Sequence, residues 1–528
     1  MNCEVFAVLL DTMSIQRYIF STNNLKENIG ASHIVKEIYD SHLKEVIKEI
    51  LNPPSDYNYY DAWEKNPEKI KILEPEASFE IGYIGGGNAL IFFKNKNIAE
   101  EFLKKWSMRL LVHCPGLIPA SAIGKIDFNN FSGSIKDLFI KLSERKSSFI
   151  PETIIRRHGI TAECPNTGYS AEIWCEKLPE EKKSYISSVS NAKIMAVEQA
   201  DKKLKKILEE CDYHNKYTFT NELDKLGQKR KQDSHIAIVF IDGNDMGERF
   251  RSQKDLPSLR ELSKSVRDAT METFKKVIKA VVEAIEEKVL EDEGIILENS
   301  KKEDERDKTI LPIRPIIIGG DDILFVSDGR LGIWLAKIFL EEFQKKQVSD
   351  FKPLSACAGV AITKTKYPFY RGYKLSEDLI RNAKDKRKEL KDNGSWIDFH
   401  ISYGGFSGEL KEIRKEHYKN PENISLILRP YSISALNELL NCVATIVGKN
   451  KGKEKFPRSK IMELRDVLYS GKQAHRLFIE EMKARGLKLP SYKDFDGYEI
   501  IKDSETPYLD MIELTEFYPK FALQGGNL

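Results

Sequence analysis

The stretch IIIGGDDILFV, residues 316–326, decides the fold of the second half of this chain. Its large apolar flanks are typical of buried strands, and the two glycines predict the tip of a tight hairpin. At such a tip the neighbouring carboxylates Asp321 and Asp322 can point toward one site. Two carboxylates so close repel each other unless a cation lies between them, and hard oxygen ligands suit Mg²⁺ or Mn²⁺. An exposed Gly-Asp turn without any ligand is the alternative.

Composition limits the class of protein. The 528 residues are enough for three or four domains, and 41% apolar with 31% charged residues is typical of a soluble globular protein. A net charge of +2 excludes the global basic field of a nucleic-acid coat protein. Seven cysteines, an odd number, favour a reducing compartment. Because no apolar run has membrane-spanning length and the N-terminus does not fit a signal peptide, we expect a cytoplasmic protein without a membrane partner.

The order of predicted elements occurs twice. The first copy contains the strand EVFAVLLD, a long helical stretch, the hairpin IGYIGGGNALIFF, a helix and a strand. From His235 the same order recurs around the hairpin PIIIGGDDILFV, followed by a further helix and strand. This is the order of the ferredoxin-like palm, an antiparallel sheet with helices on one face. We therefore predict an α+β protein with palm domains at residues 1–149 and 234–403.

Two further domains complete the prediction. Residues 150–233 are predicted to form a linker domain that is partly helical, and apolar spacing predicts a helical domain at residues 404–528. In the linker, His158, Cys164 and Cys175 offer the ligand types of a zinc site. Structural zinc needs four ligands with a close Cys-x-x-Cys pair, which is missing. Ordinary packing is therefore favoured, and a zinc site is the alternative.

A third carboxylate, Asp242, ends the first strand of the second copy. In a palm this strand lies beside the hairpin, so we expect Asp242 to face Asp321 and Asp322. Three carboxylates at one end of a sheet can hold two divalent cations and a triphosphate, which predicts nucleotidyl transfer. Free amides of the following turn, GNDMG, would bind phosphates at the start of a helix, with Asp245 either a further ligand or a turn residue.

Lys384 lies at the edge of the apolar face of the helix SEDLIRNAKDKRKEL. From there its ammonium group would reach over the sheet to a phosphate, whereas a solvated position on a basic helix face is the alternative. The residues that we expect to bind nucleotide in this copy are Gly243, Asn244, Asp245, Gly247, Gly319, Gly320 and Lys384.

Four segments, in order, carry a resemblance: FIDGNDMG, IGGDDILFV, LSACAGVAIT and LSEDLIRNAKDKRKE. They resemble the cyclase palm of the large subunit of type III CRISPR effector complexes. The N-terminal segments are similar to the first palm of that family, and FPRSKIMELRDVLYSG to its C-terminal helical domain. The resemblance implies a pseudo-dimer of palms that converts ATP into cyclic oligoadenylate messengers with Mg²⁺ or Mn²⁺. It also implies CRISPR effector subunits and guide or target RNA as partners.

The sequence departs from the family pattern in two places. The family's usual HD nuclease does not precede the first palm, so no DNase activity is expected. The four-cysteine zinc ribbon usual between the palms is also missing. A standalone or accessory cyclase of the same family, making a cyclic dinucleotide or a longer ring, is therefore an alternative to a subunit of an RNA-guided complex.

The first copy keeps only part of the carboxylate set. Its hairpin, IGGGNAL, has Gly87 and Asn88 in place of the two aspartates, and Asp11 alone remains. One carboxylate cannot hold two metals, but the glycines still admit a nucleotide. We expect this copy to bind the acceptor ATP through Asp11, Ser32, Gly86 and Gly87. A packing relic, in which Asp11 is a turn residue and Ser32 caps the start of a helix, is the alternative.

Other functions compete with this one. A template-directed polymerase would need fingers and thumb insertions, and none is evident. A GGDEF-type diguanylate cyclase works as a homodimer with one palm per chain, against which the duplication argues. A scaffold that organises RNA and proteins without turnover would not need three mutually repelling acids.

Overall fold

The computed structural model describes residues 4–148, 159–178, 183–227, 234–302, 305–404, 408–448 and 456–523. The first palm consists of β1 (Val5–Met13), α1 (Ile15–Ile19), α2 (Leu25–Glu37), α3 (Ser41–Leu51), β2 (Phe79–Gly85), β3 (Asn88–Phe93), α4 (Lys96–His113), β4 (Ile118–Ile126) and α5 (Phe131–Ser148). Its four strands form an antiparallel sheet in the order β2-β3-β1-β4, which is the ferredoxin-like order.

The linker contributes two short strands, one long helix and a further strand: β5 (Ile173–Trp174), β6 (Tyr185–Ile186), α6 (Ser188–Glu210) and β7 (Tyr217–Thr218). Its helical part agrees with the sequence prediction. Cys164 and Cys175 are buried together with Ile186 and Ile194 in a small apolar cluster. His158, the third residue of the zinc alternative, lies outside the described residues.

The second palm repeats the order of the first and adds to it. Its elements are β8 (His235–Gly243), α7 (Met246–Arg251), α8 (Leu256–Glu286), α9 (Val289–Asp292), β9 (Thr309–Ile310), β10 (Ile313–Ile318), β11 (Ile323–Asp328), α10 (Gly332–Gln344), β12 (Ala356–Lys364), α11 (Phe369–Glu389) and β13 (Trp396–Ile401). The sheet has the order β10-β11-β8-β12-β13-β14, in which the edge strand β14 (Tyr431–Ser432) comes from the C-terminal region.

The C-terminal region is mainly helical. It contains α12 (Leu410–His417), β14 (Tyr431–Ser432), α13 (Ile433–Val447), α14 (Arg458–Ser470), α15 (Lys472–Ala484) and α16 (Tyr508–Phe517). Its buried side chains form one core with the second palm. Among all described residues, no helix is both long and apolar enough to cross a bilayer.

Helices cover both faces of the second-palm sheet. Gly332 of α10 lies against Ala237 of β8, whereas Gly372 of α11 lies against the neighbouring Ile238, whose side chain points the other way. The expectation of helices on one face was therefore wrong. It missed that α11, the helix that follows β12, packs on the sheet face opposite to that of α10.

The two hairpins correspond residue by residue. In the first, Leu90 pairs with Tyr83 and with Leu9. In the second, Leu324 pairs with Ile317 and with a residue of β8. Each outer strand has one extra residue directly before this pair, so both hairpins carry a β-bulge at the same position. The shared irregularity supports the duplication more strongly than element order alone.

Each bulge receives a hydrogen bond from the opposite palm. Arg260 of α8 donates through Nε to the carbonyl oxygen of Gly82 at 2.7 Å, and Ser32 of α2 donates through Oγ to the carbonyl oxygen of Ile316 at 2.7 Å. A helix of each palm thus contacts the outer hairpin strand of the other palm: α8 contacts β2, and α2 contacts β10. This is the packing of a pseudo-twofold dimer.

These contacts correct the expectation for Ser32. The helix α2 begins at Leu25, and its N-cap is Asn24, whose side chain accepts a hydrogen bond from the backbone N–H of Lys26. Ser32 lies well inside the helix, so it neither begins nor caps it. Its hydroxyl is used to join the palms, because that face of α2 packs against β10.

Candidate active site

Three carboxylates meet at the end of the second-palm sheet. Ile241 of β8 lies opposite Ile323 of β11, and the next residues outward, Asp242 and Asp322, are therefore also opposite each other. One oxygen from each of Asp242, Asp321 and Asp322 lies within 4.8 Å of the other two, and all three side chains are half-buried. The structure thus brings together the three acids named from the sequence.

Glycine allows the carboxylates to approach the strand. A Cβ added to Gly243, the last residue of β8, would lie 2.9 Å from Cβ and 3.0 Å from Oδ2 of Asp321. The hairpin itself is closed by the Gly319 N–H, which donates to the carbonyl oxygen of Asp322 at 2.8 Å. Gly319 and Gly320 therefore shape the tip that carries the acids, and Gly243 leaves room for one of them.

The three acids raise one another's affinity for protons. Burial, followed by the charge of Asp242, raises the pKa of Asp321 to about 6. Burial, followed by Asp321 and Asp242, raises the pKa of Asp322 well above its ordinary value. This is the electrostatic cost of gathering carboxylates, and a divalent cation removes it. Hard oxygen donors at this spacing fit Mg²⁺ or Mn²⁺.

A lysine lies over the same end of the sheet. Lys384 of α11 donates through Nζ to Oδ2 of Asp242 at 2.5 Å and to the carbonyl oxygen of Gly243 at 3.3 Å. About a quarter of its side chain is exposed. The ammonium group therefore stands beside the carboxylates and also faces solvent, which suits contact with a phosphate.

The turn after β8 is held by its own protein contacts. The backbone N–H of Asn244 donates to the carbonyl oxygen of Ser355 at 2.9 Å, so this amide is not free, contrary to expectation. Asp245 has a φ of 58° and binds the buried guanidinium group of Arg387 through both carboxylate oxygens, at 2.9 and 2.7 Å. It is a turn residue outside the carboxylate cluster. Gly247 lies inside the short helix α7.

The first palm presents its own hairpin to this site. Asp11 pairs with Asn88 in the sheet, at the register that Asp242 and Asp322 occupy in the second palm. Gly86 and Gly87 form the tip, with φ values of 58° and 75°. A Cβ added to Gly320 of the second tip would lie 3.6 Å from the Gly86 nitrogen. The two hairpin tips therefore touch.

Lys146 is a residue that sequence reasoning missed. It lies fifteen positions after Phe131, the start of α5, and Lys384 lies fifteen positions after Phe369, the start of α11. Lys146 Nζ donates to Oδ2 of Asp11, as Lys384 donates to its own aspartate. Aligning the helix that follows β4 with the helix that follows β12 would have found it.

Comparisons with known proteins agree with this geometry. A family model described as Cas10/Cmr2, second palm domain, matches residues 235–393. No curated protein matches the sequence.

Similar solved structures cover nearly the whole chain. One is a Csm1–Csm4 cassette in complex with cA4, with a TM-score of 0.55 and 13% identity over 97% of this chain and 69% of that chain. The cassette with one ATP gives a TM-score of 0.53 and 14% identity over 98% and 70%. Csm1 in T. onnurineus gives 0.52 and 14% over 99% and 69%. The resemblance found in the sequence is confirmed: residues 235–393 match the family model of the Cas10/Cmr2 second palm domain, and the chain has the fold of Csm1.

Proposed function

We propose that this protein is a metal-dependent nucleotidyltransferase that converts ATP into cyclic oligoadenylate second messengers in antiviral defence. The observation that carries the proposal is the cluster of Asp242, Asp321 and Asp322 beside Lys384, facing the glycine tip of the first palm. Similar solved structures, described as complexes with cA4 and with ATP, support it.

The second palm is the donor site in this proposal. Asp242, Asp321 and Asp322 would hold Mg²⁺ or Mn²⁺, and the bound cations would lower the pKa of an attacking hydroxyl and neutralise the leaving pyrophosphate. Lys384 would contact the phosphates. The glycines at positions 319 and 320 keep the tip free of side chains, so that a nucleotide can approach the backbone.

The first palm is the acceptor site. Its tip, Gly86 and Gly87, touches the tip of the second palm, and Asp11 lies at the adjacent strand end. An ATP bound there would offer its 3′-hydroxyl to the α-phosphate of the donor. A phosphodiester bond forms, the bond between the α- and β-phosphates breaks, and pyrophosphate and a proton leave. Repetition and a final intramolecular attack would close the ring.

Two alternative functions can be tested by the product analysis described below. A cyclic-dinucleotide synthase would use the same carboxylates and stop after two transfers. A non-catalytic scaffold would bind RNA and other CRISPR effector subunits, and the similar Csm1–Csm4 cassettes make a subunit partner part of our proposal. A cytoplasmic location is likewise part of the proposal.

The test is product analysis. Purified protein is incubated with each NTP and Mn²⁺ or Mg²⁺, with and without guide and target RNA, and products are identified by mass spectrometry. Cyclic oligoadenylate from ATP supports the proposal. A two-membered ring favours the dinucleotide alternative, and no product under any condition, together with RNA binding, favours the scaffold.

A further inference from the structure

We propose that the first palm contains a metal-independent triphosphate-binding site in which Lys146 supplies the positive charge that cations supply in the second palm. The inference deepens the proposed acceptor site and rests on the proposed function for its role in turnover. It is carried by the position of Lys146 relative to Asp11, Asn88 and the hairpin tip.

The two palms differ in charge at corresponding positions. The second palm gathers three carboxylates around Lys384. The first palm has one carboxylate, Asp11, paired with Lys146, because Gly87 and Asn88 occupy the other two positions. Without metal the second site is therefore strongly anionic and repels a triphosphate, whereas the first is close to neutral. Only the second needs cations before it can accept ATP.

The Lys146 ammonium group is available to a ligand. About a third of its side chain is exposed, and Asp11 is less exposed, at 19%. The other Asp11 oxygen, Oδ1, is occupied by the backbone N–H of Thr12 at 2.6 Å. Lys146 can therefore keep its contact with Asp11 and still donate to a phosphate, since an ammonium group has three donors.

A second observation at the same place indicates an unfilled acceptor. The side-chain oxygen of Asn88 is shielded from solvent and accepts no hydrogen bond from any described residue. It lies opposite Asp11 in the sheet, beside the tip glycines. A buried acceptor without a donor costs free energy, and a ribose hydroxyl or a base amino group would satisfy it.

ATP binding in the absence of metal tests the site. Equilibrium dialysis with radiolabelled ATP in EDTA should detect a single site per chain in the wild-type protein, and a second should appear when Mn²⁺ is added. Lys146→Ala should weaken the metal-free site by roughly 10- to 100-fold, the value of a charge-assisted hydrogen bond. The Mn²⁺-dependent site should stay unchanged in this variant.

Three further variants locate the effect. Lys146→Arg keeps the charge and should keep the metal-free site. Asp11→Asn frees Lys146 and should keep or strengthen ATP binding in EDTA, and a loss of that binding would contradict the role given to Lys146. Lys136→Ala, at an exposed position of the same helix, is the matched control and should bind like the wild type.

The outcomes separate this inference from the proposed function. Wild-type protein that binds no ATP in EDTA, or Lys146→Ala protein that binds it normally, overturns the inference. Circular dichroism melts of each variant show whether lost binding reflects lost folding. If Lys146→Ala is unstable, ATP binding by Lys146→Arg in EDTA tests the inference instead, because this variant keeps the charge. A protein that binds ATP through Lys146 but makes no product under any condition keeps the inference and refutes the cyclase.

Discussion

Arg260 and Glu80 form an ion pair between the two palms, with 2.8 Å between Nη2 and Oε1 and with both side chains excluded from solvent. Arg260 also donates to the carbonyl oxygens of Gly82 and Lys69. Replacing it by alanine leaves Glu80 buried without its partner. We expect Arg260→Ala to lower the free energy of unfolding by about 3–5 kcal/mol, measured by urea denaturation.

Two controls accompany this prediction. Arg381→Ala removes an exposed arginine from α11 and should change the unfolding free energy by less than about 0.5 kcal/mol. Adding Glu80→Gln to Arg260→Ala should recover part of the loss, because it removes the unpaired charge. An unchanged urea midpoint for Arg260→Ala would show that the palms do not depend on this contact.

The turn 243–247 offers a matched pair of glycines. A Cβ on Gly243 would overlap Asp321, whereas the nearest atom to a Cβ on Gly247 is the mobile guanidinium group of Arg251, at 3.4 Å. Gly243→Ala should therefore displace Asp321 and weaken Mn²⁺ binding at least tenfold, while Gly247→Ala, in a helix, should bind normally. Isothermal titration with Mn²⁺ measures both. Equal affinities would mean that the position of Asp321 does not set metal binding.

Local patterns predicted the hairpins, their order and the three clustered acids, because strand alternation and turn chemistry are properties of short segments. The helix α5, which carries Lys146, was not predicted, because the elements of the first copy were assigned only as far as its last strand. Ser32 was wrongly predicted to lie at a helix start, because a glycine followed shortly by a serine is typical of an N-cap. The N-cap of this helix is Asn24. The inter-palm contacts of Arg260 depend on tertiary packing and have no local signal.

Metal binding should depend on pH in a stated direction. The pKa of Asp321 is raised to about 6 by burial and then by Asp242, and a proton must leave before the carboxylate binds a cation. The apparent Mn²⁺ affinity should therefore fall as pH drops below 6, by roughly tenfold per pH unit for each displaced proton. Titrations at pH 5, 6, 7 and 8 measure it, and a flat profile would contradict it.

Without metal, a rise in pH has the opposite effect at Asp321: it lowers the free energy of unfolding, whereas it strengthens Mn²⁺ binding. The folded pKa of Asp321 lies above the ordinary 3.8, so its contribution is most favourable below that value and is lost as pH rises through about 6. Metal-free wild-type protein should lose unfolding free energy between pH 4 and 6 relative to Asp321→Asn. Thermal melts of both proteins in EDTA across this range test the sign.

Removing the hairpin acids should separate activity from folding. In Asp321→Ala/Asp322→Ala the carboxylates proposed to hold the cations are gone, so product formation from ATP should fall below detection, and Asp242→Ala should behave alike. The fold should persist, because the change relieves repulsion at a turn instead of removing core packing. The metal-free melting temperature should stay equal or rise, and the increase that Mn²⁺ gives the wild type should vanish. Asp385→Asn, at an exposed position one residue after Lys384, is the matched control for loss of a carboxylate and should keep both product and the Mn²⁺ effect. A folded double variant that turns over ATP at the wild-type rate would remove this hairpin from the mechanism, since the other described residues contain no second acidic cluster that could replace it.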